Sequence, residues 1–195
     1  VIGLFVVDHP ADDAAENLRL VGALHRTRLG FARDEGGAEA SRAMFEQHVE
    51  GLQGVVVVGH GGPTALVTKS GQPLLDRSNV SVIRGRWLHA FACRTGQILA
   101  DAAVVDGAEA YAGYSCPLFV DAVTEAHLAR LGEPFECLLT ETSACLAEGV
   151  RDARVIQQRL SALVDEIELD DADFMTVGIL ADQLLSRLIL RRVVL

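Results

Sequence analysis

The chain carries a single lysine, Lys69, and no cluster of lysine and arginine anywhere along its 195 residues. Acidic residues outnumber basic ones 27 to 17, for a formal net charge of −10. Binding to a phosphate backbone needs clustered cations, so nucleic acid is not expected as a partner. Long apolar runs are missing too. None reaches the ~20 residues that span a bilayer, and the nearest, 174–190, is interrupted by Asp182, Gln183 and Arg187, so no membrane partner is expected either. The four cysteines (Cys93, Cys116, Cys137 and Cys145) lack C-x-x-C spacing, which argues against a zinc knuckle and a thioredoxin-type motif. Neither metal nor cofactor is expected. No secretory n-region, h-region and cleavage site open the chain, whose first residue is Val. The expectation is a trimmed N-terminus, a cytoplasmic location and reduced thiols.

Proline and glycine are in no excess, and there is neither a low-complexity linker nor an internal repeat. Half of the residues are hydrophobic. A chain of this length buries one substantial core, and two would be crowded. Residues 1–195 are therefore expected to form a single domain, with a core over about 1–120 and a mostly helical part over about 121–195.

Four runs have the continuous apolar character of strands covered on both faces: 1–7, 54–59, 86–92 and 109–114. Between the first two, Asp12 offers a helix N-cap, and Ala14, Leu18, Val21 and Leu24 recur at helical spacing up to Gly30. A second helix is read over 38–50, stopped by Gly51. In 64–75, "TALVTKSGQPLL", two β-prone runs flank "KSGQ", the signal of a hairpin. "GQILADAAVV" reads as a helix with Ile98, Ala102 and Val105 on one stripe. Strands alternating with helices predict an α/β fold with a mostly parallel central sheet. Further on, Ile156, Leu160, Leu163 and Ile167 form an amphipathic stripe, and 174–190 reads as a helix apolar over a wide arc, buried or set against a partner. The acidic run "DEIELDDAD" lacks the spacing of a calcium loop and reads as a solvated helix end.

Two of the strand-like runs end unusually, in "VVVVGHGG" (55–62) and "LHAFACRTG" (88–96). In an open parallel sheet, catalytic groups gather beyond the carboxyl ends of the strands, where His60 and Cys93 both fall. A free thiol with a pKa of ~8.5 is only a few per cent thiolate at neutral pH. An imidazole beside it raises the reactive fraction and later protonates a leaving amine. The flanking glycines admit a substrate backbone and offer N–H groups to an oxyanion. Alone, a buried cysteine is more often a small core hydrophobe and a His-Gly pair a turn; the conjunction carries the catalytic reading. A phosphate loop would have to open a helix, and Pro63 and the hairpin deny it one. A tyrosine-phosphatase loop needs an arginine six positions after the cysteine, where Leu99 stands. His9, His48, His89 and His127 are scattered and read as structural.

The order of strand, "GHG", hairpin, strand, "ACRTG", helix and "GAEAYAGY" resembles the caspase-like (clan CD) cysteine peptidases, which include caspases, metacaspases, gingipains, separase and the CHAT peptidases. "FACRTG" is similar to the "QACRG" of caspases and to the "SACxTG"-like form of CHAT members. The resemblance covers about residues 1–120. It implies a caspase-like three-layer sandwich with helices on both faces of the sheet, and a cysteine endopeptidase acting on a protein or peptide. His60 would be the general base or acid, Cys93 the nucleophile, and the N–H groups of Gly61 and Cys93 the oxyanion hole; the family's dyad needs no third member. It also implies control by a regulatory protein partner, a sensor or a homo-oligomer. Asp8, past the first strand, and Asp121, past the last, fall on the edge where an acidic S1 pocket would select Lys or Arg. The plainer reading makes each a turn or helix cap. A rival of another class is a catalytically inactive caspase-like scaffold serving as a protein-interaction module; retention of both His60 and Cys93 favours the enzyme. Within enzymes, the same dyad could serve acyl transfer or another hydrolysis.

Overall fold

The valine run that ends at Val58 lies in the middle of a six-stranded sheet, buried on both faces. The computed structural model describes residues 1–7, 13–37 and 39–193. Its main sheet contains β1 (Ile2–Val6), β2 (Arg33–Gly36), β3 (Gly54–Val58), β7 (Trp87–Phe91), β8 (Ala110–Tyr114) and β9 (Leu188–Arg192), in the order β2-β1-β3-β7-β8-β9. The first five run parallel, and β9 is antiparallel to β8. A second, antiparallel sheet of β4 (His60–Gly62), β5 (Ala65–Val67) and β6 (Pro73–Asp76) branches off after β3. The architecture is α/β, and all four predicted runs are strands of the main sheet.

Alternation along the strands divides the core in two. Leu4, Val6, Val56, Val58, Trp87, Phe91 and Ala112 face one side. There they meet α1 (Ala15–Arg28), α4 (Glu125–Ala147), α5 (Ala153–Glu166) and α7 (Ile179–Ser186). Phe5, Val55, Val57, Leu88 and Ala90 face the other side, against α2 (Arg42–Val49), α3 (Leu99–Val105) and the small sheet. Full burial of each such Val or Leu contributes roughly 1.5–3 kcal/mol, so helices cover both faces of strands that are apolar throughout. The region after residue 120 packs onto the same sheet, and β9 joins it. Among the described residues, no helix is long and apolar enough to cross a membrane.

Several local expectations are corrected. Helix α1 starts at Ala15 with Ala14 at its N-cap and no capping side chain; Asp12 lies outside the described residues. In α3 the buried residues are Leu99, Ala100 and Ala103, while Ile98 and Val105 are 54% and 88% exposed. The small alanines face the sheet because they let the helix approach it closely. The run 174–190 is not one helix. A turn, α6 (Asp171–Asp173), leads through a π-helical stretch, Phe174–Gly178, into α7, and the chain then straightens into β9. The acidic run is not wholly solvated, since Asp173 is buried and ion-paired with Arg130. Strand β2, "RDEG", was not anticipated.

Candidate active site

β3 and β7 are neighbours, and Val58 is the register partner of Phe91. The ladder continues one residue further, where the Gly59 N–H donates to the Phe91 carbonyl at 3.2 Å. Both chains then leave the sheet, one into His60 and the other, through Ala92, into Cys93. His60 opens β4 opposite Val67. The strand ends thus bring the two predicted residues to one level of the same sheet edge.

Gly61 shows how closely the two segments meet. A Cβ built on it would stand 2.9 Å from the Cys93 carbonyl oxygen and 3.2 Å from the Ala92 Cβ, and would strike the Thr95 methyl. Only a glycine fits this close approach. The Gly61 and Cys93 backbones therefore run close together.

The loop after Cys93 is fastened to the end of β8. Arg94 N–H donates to the Cys116 carbonyl at 3.0 Å, and Gly96 N–H to the Tyr114 carbonyl at 3.0 Å. The Gln97 side chain reaches the Ser115 carbonyl at 2.8 Å. Thr95 is buried, and a side chain on Gly113 would meet its hydroxyl at 2.6 Å. The "TG" of one motif and the "AGY" of the other thus interlock. Arg94 has φ 59°, the only left-handed non-glycine among the described residues, a conformation that costs roughly 1–2 kcal/mol. Such strain is retained where the surroundings over-determine it, here immediately after Cys93.

Cys93 is a free thiol, partly exposed, and its Sγ accepts a hydrogen bond from the Leu118 N–H at 3.3 Å. Burial pushes the thiols of Cys116 and Cys137 up and that of Cys145 to about 12. Asp121 lies exposed in a short 3-10 turn, Val120–Ala122, beyond β8. It caps no α-helix, because Thr124 is the N-cap of α4 and its hydroxyl accepts from the His127 N–H at 3.1 Å. Asp8 and His9 lie outside the described residues. The sequence did not single out Asp182. With Arg187, Phe174 and Ile179 it lines a groove of about 350 Å³ that reaches Cys116. Gln183 ties this region to the site by accepting the Phe119 N–H at 2.7 Å. Nothing in the local sequence of α7 signals that role, since only the tertiary fold brings it to β8.

His89 faces the packed side of β7, as expected, but in unexpected company. Its Nδ1 lies 2.6 Å from the Ser143 hydroxyl and its Nε2 3.2 Å from the Tyr114 hydroxyl. The same Ser143 oxygen is 3.0 Å from Nε2 of His25, whose Nδ1 meets the Val21 carbonyl at 2.8 Å. A carbonyl only accepts, so His25 Nδ1 carries the proton and its Nε2 accepts from Ser143. Ser143 then accepts from His89 Nδ1–H, and His89 Nε2 accepts from Tyr114. One self-consistent chain results, with both histidines neutral. Burial pushes both imidazoles down, His25 to about 4 and His89 well below its usual value. His48 is also buried, beside Glu35, and His127 bonds the Ala122 carbonyl; all three are placed as packing or structural groups. No protein-family model matches the chain, and no curated protein is similar enough to count as a match.

Proposed function

We propose that the chain is a cysteine endopeptidase of the caspase-like type, acting in the cytoplasm on protein or peptide substrates. The observation that carries this reading is the convergence of two motifs. His60 and Cys93 follow register partners on adjacent strands, and Gly61 presses on the Cys93 backbone. The antiparallel sheet between His60 and Cys93, and the Gly-Ala strand after the cysteine, are traits of that superfamily and support a caspase-like three-layer sandwich.

In this mechanism His60 takes the thiol proton as the Cys93 sulfur attacks the scissile carbonyl. The N–H groups of Gly61 and Cys93 receive the developing oxyanion. The intermediate collapses to a thioester as His60 protonates the leaving amine, and water then releases the acyl product. Cleavage follows a basic residue. Asp121 beyond β8 and Asp182 in the groove are exposed carboxylates that would attract a cationic side chain as substrate binding covers them; Asp8 remains the third candidate. The exposed Phe174, Met175 and Ile179 beside the groove are apolar side chains that a regulatory partner or second copy would cover.

A peptide-library cleavage profile tests this directly. Cys93→Ala is expected to abolish cleavage while the fold is retained, and P1 Arg and Lys to exceed P1 Asp and Leu. Iodoacetamide is expected to modify Cys93 ahead of the other three thiols. Turnover by Cys93→Ala would move the chemistry elsewhere, and an unreactive Cys93 with no cleavage would favour the inactive scaffold. Preference for P1 Asp or Leu would remove the acidic pocket and leave the dyad.

A further inference from the structure

Cys116, which the peptidase reading leaves without a catalytic role, is bonded to the loop that begins at Cys93. β7 and β8 run parallel with one constant offset from Trp87–Ala110 to His89–Ala112. Beyond that register the chain turns at Cys93 and runs back along the end of β8, so that 93–96 lie against 114–116. Arg94 N–H, the amide that follows Cys93, donates to the Cys116 carbonyl at 3.0 Å. Two residues beyond Cys116, the Leu118 N–H donates to the Cys93 sulfur at 3.3 Å. Cys93 packs against the same core face as α7, and Cys116 lines the groove beside α7, so the two thiols share one side of the sheet, where a bridge needs Cα atoms ~4.4–6.8 Å apart. Both thiols are free and partly exposed, whereas Cys137 and Cys145 lie away on α4.

We propose that Cys93 and Cys116 form an oxidant-responsive dithiol, in which a hydroperoxide closes a reversible disulfide that masks the candidate nucleophile. For its functional consequence the proposal rests on the peptidase reading. With hydrogen peroxide, the Cys93 thiolate attacks one oxygen, the O–O bond breaks, and hydroxide leaves to become water, giving a sulfenic acid. The Cys116 sulfur then attacks the oxidised sulfur. The S–O bond breaks, the S–S bond forms, and the Cys116 proton departs with the hydroxide as a second water. Two thiols have lost two electrons, and one peroxide has become two waters. The division of roles follows from the surroundings: burial foremost, with Cys93 adding to it, raises the Cys116 thiol, so Cys116 resolves rather than initiates. Both sulfurs are partly exposed, so the bridge is open to a dithiol reductant.

The test is peptide mapping by mass spectrometry of the full chain after stepwise additions of hydrogen peroxide, with cleavage measured alongside. The expected product is a linked peptide pair holding Cys93 and Cys116, two hydrogens lighter than the free pair and reopened by dithiothreitol. Cys116→Ser is expected instead to drive Cys93 on to sulfinic or sulfonic acid. Oxygen added to Cys93 in the unaltered chain without linkage, or linkage to Cys137 or Cys145, overturns the proposal. So does cleavage that survives complete linkage. Linkage in a chain that cleaves nothing before oxidation upholds the dithiol and counts against the peptidase reading alone.

Discussion

A single hydrogen atom separates a workable site from a blocked one at Gly61. A Cβ there meets the Cys93 carbonyl and the Thr95 methyl, whereas at Gly62 nothing lies within 4 Å of the same atom. Gly61→Ala must therefore displace the Cys93 backbone, an overpacking that costs about 1–3 kcal/mol. Cleavage is expected to fall by more than the lost stability accounts for. Gly62→Ala serves as the control, with denaturant midpoints and peptide cleavage read on both. Equal behaviour of the two variants would show that the contact is unimportant. His60 and Cys93 were legible in the sequence because each ends an apolar run on a residue of distinctive chemistry. Cys116 and Asp182 drew no attention there, because only the fold shows which residues lie beside them.

Among the elements, β3, β7 and β8 were legible because burial on both faces demands uninterrupted apolar runs. β2 offers no such run: "RDEG" is an exposed edge strand with one neighbour, and charge at an edge discourages further pairing. β9 was absorbed into a helix because periodicity does not separate a short apolar strand from the end of an apolar helix. The α3 stripe of Ile98, Ala102 and Val105 is not the buried one, since Leu99, Ala100 and Ala103 face the sheet. The structure makes opposite demands of that helix's two faces. Leu99→Ala is expected to cost about 2–5 kcal/mol by leaving a cavity against the sheet. Val105→Lys is expected to stay within about 0.5 kcal/mol, as at other exposed positions. Chemical denaturation of both variants decides, and a large cost at Val105 would reverse the orientation of the helix.

Across the whole molecule, the chain from His25 through Ser143 and His89 to Tyr114 ties α1 to α4, β7 and β8. Both imidazoles titrate below their ordinary value, so the folded state refuses a proton that the unfolded chain accepts from about pH 6.5 downward. Stability is thus complete above pH 6.5 and falls as the pH drops toward about 4, the folded value of His25. His25 alone contributes about 3 kcal/mol to that loss. Asp76 and Asp173 are held below their ordinary value, the first chiefly by Ser78 and the second chiefly by Arg130. Their contributions disappear at still lower pH, so the two effects separate. Urea midpoints measured from pH 8 to pH 4 are expected to begin falling near neutrality. A midpoint flat down to pH 5 would contradict the buried neutral pair.

The sequence by itself determined the alternation of apolar strands and helices, and with it the α/β class and a parallel sheet. It also determined that an imidazole and a thiol follow two of those strands, because composition and period are local properties of the chain. Which strands are neighbours was left to the tertiary structure. Only there do Val58 and Phe91 become partners, Gly61 reach Cys93, and residues from α1, α4, β7 and β8 share one line of protons. The physical reason is that burial can be satisfied by several strand orders, whereas close contacts between residues far apart in sequence exist in one.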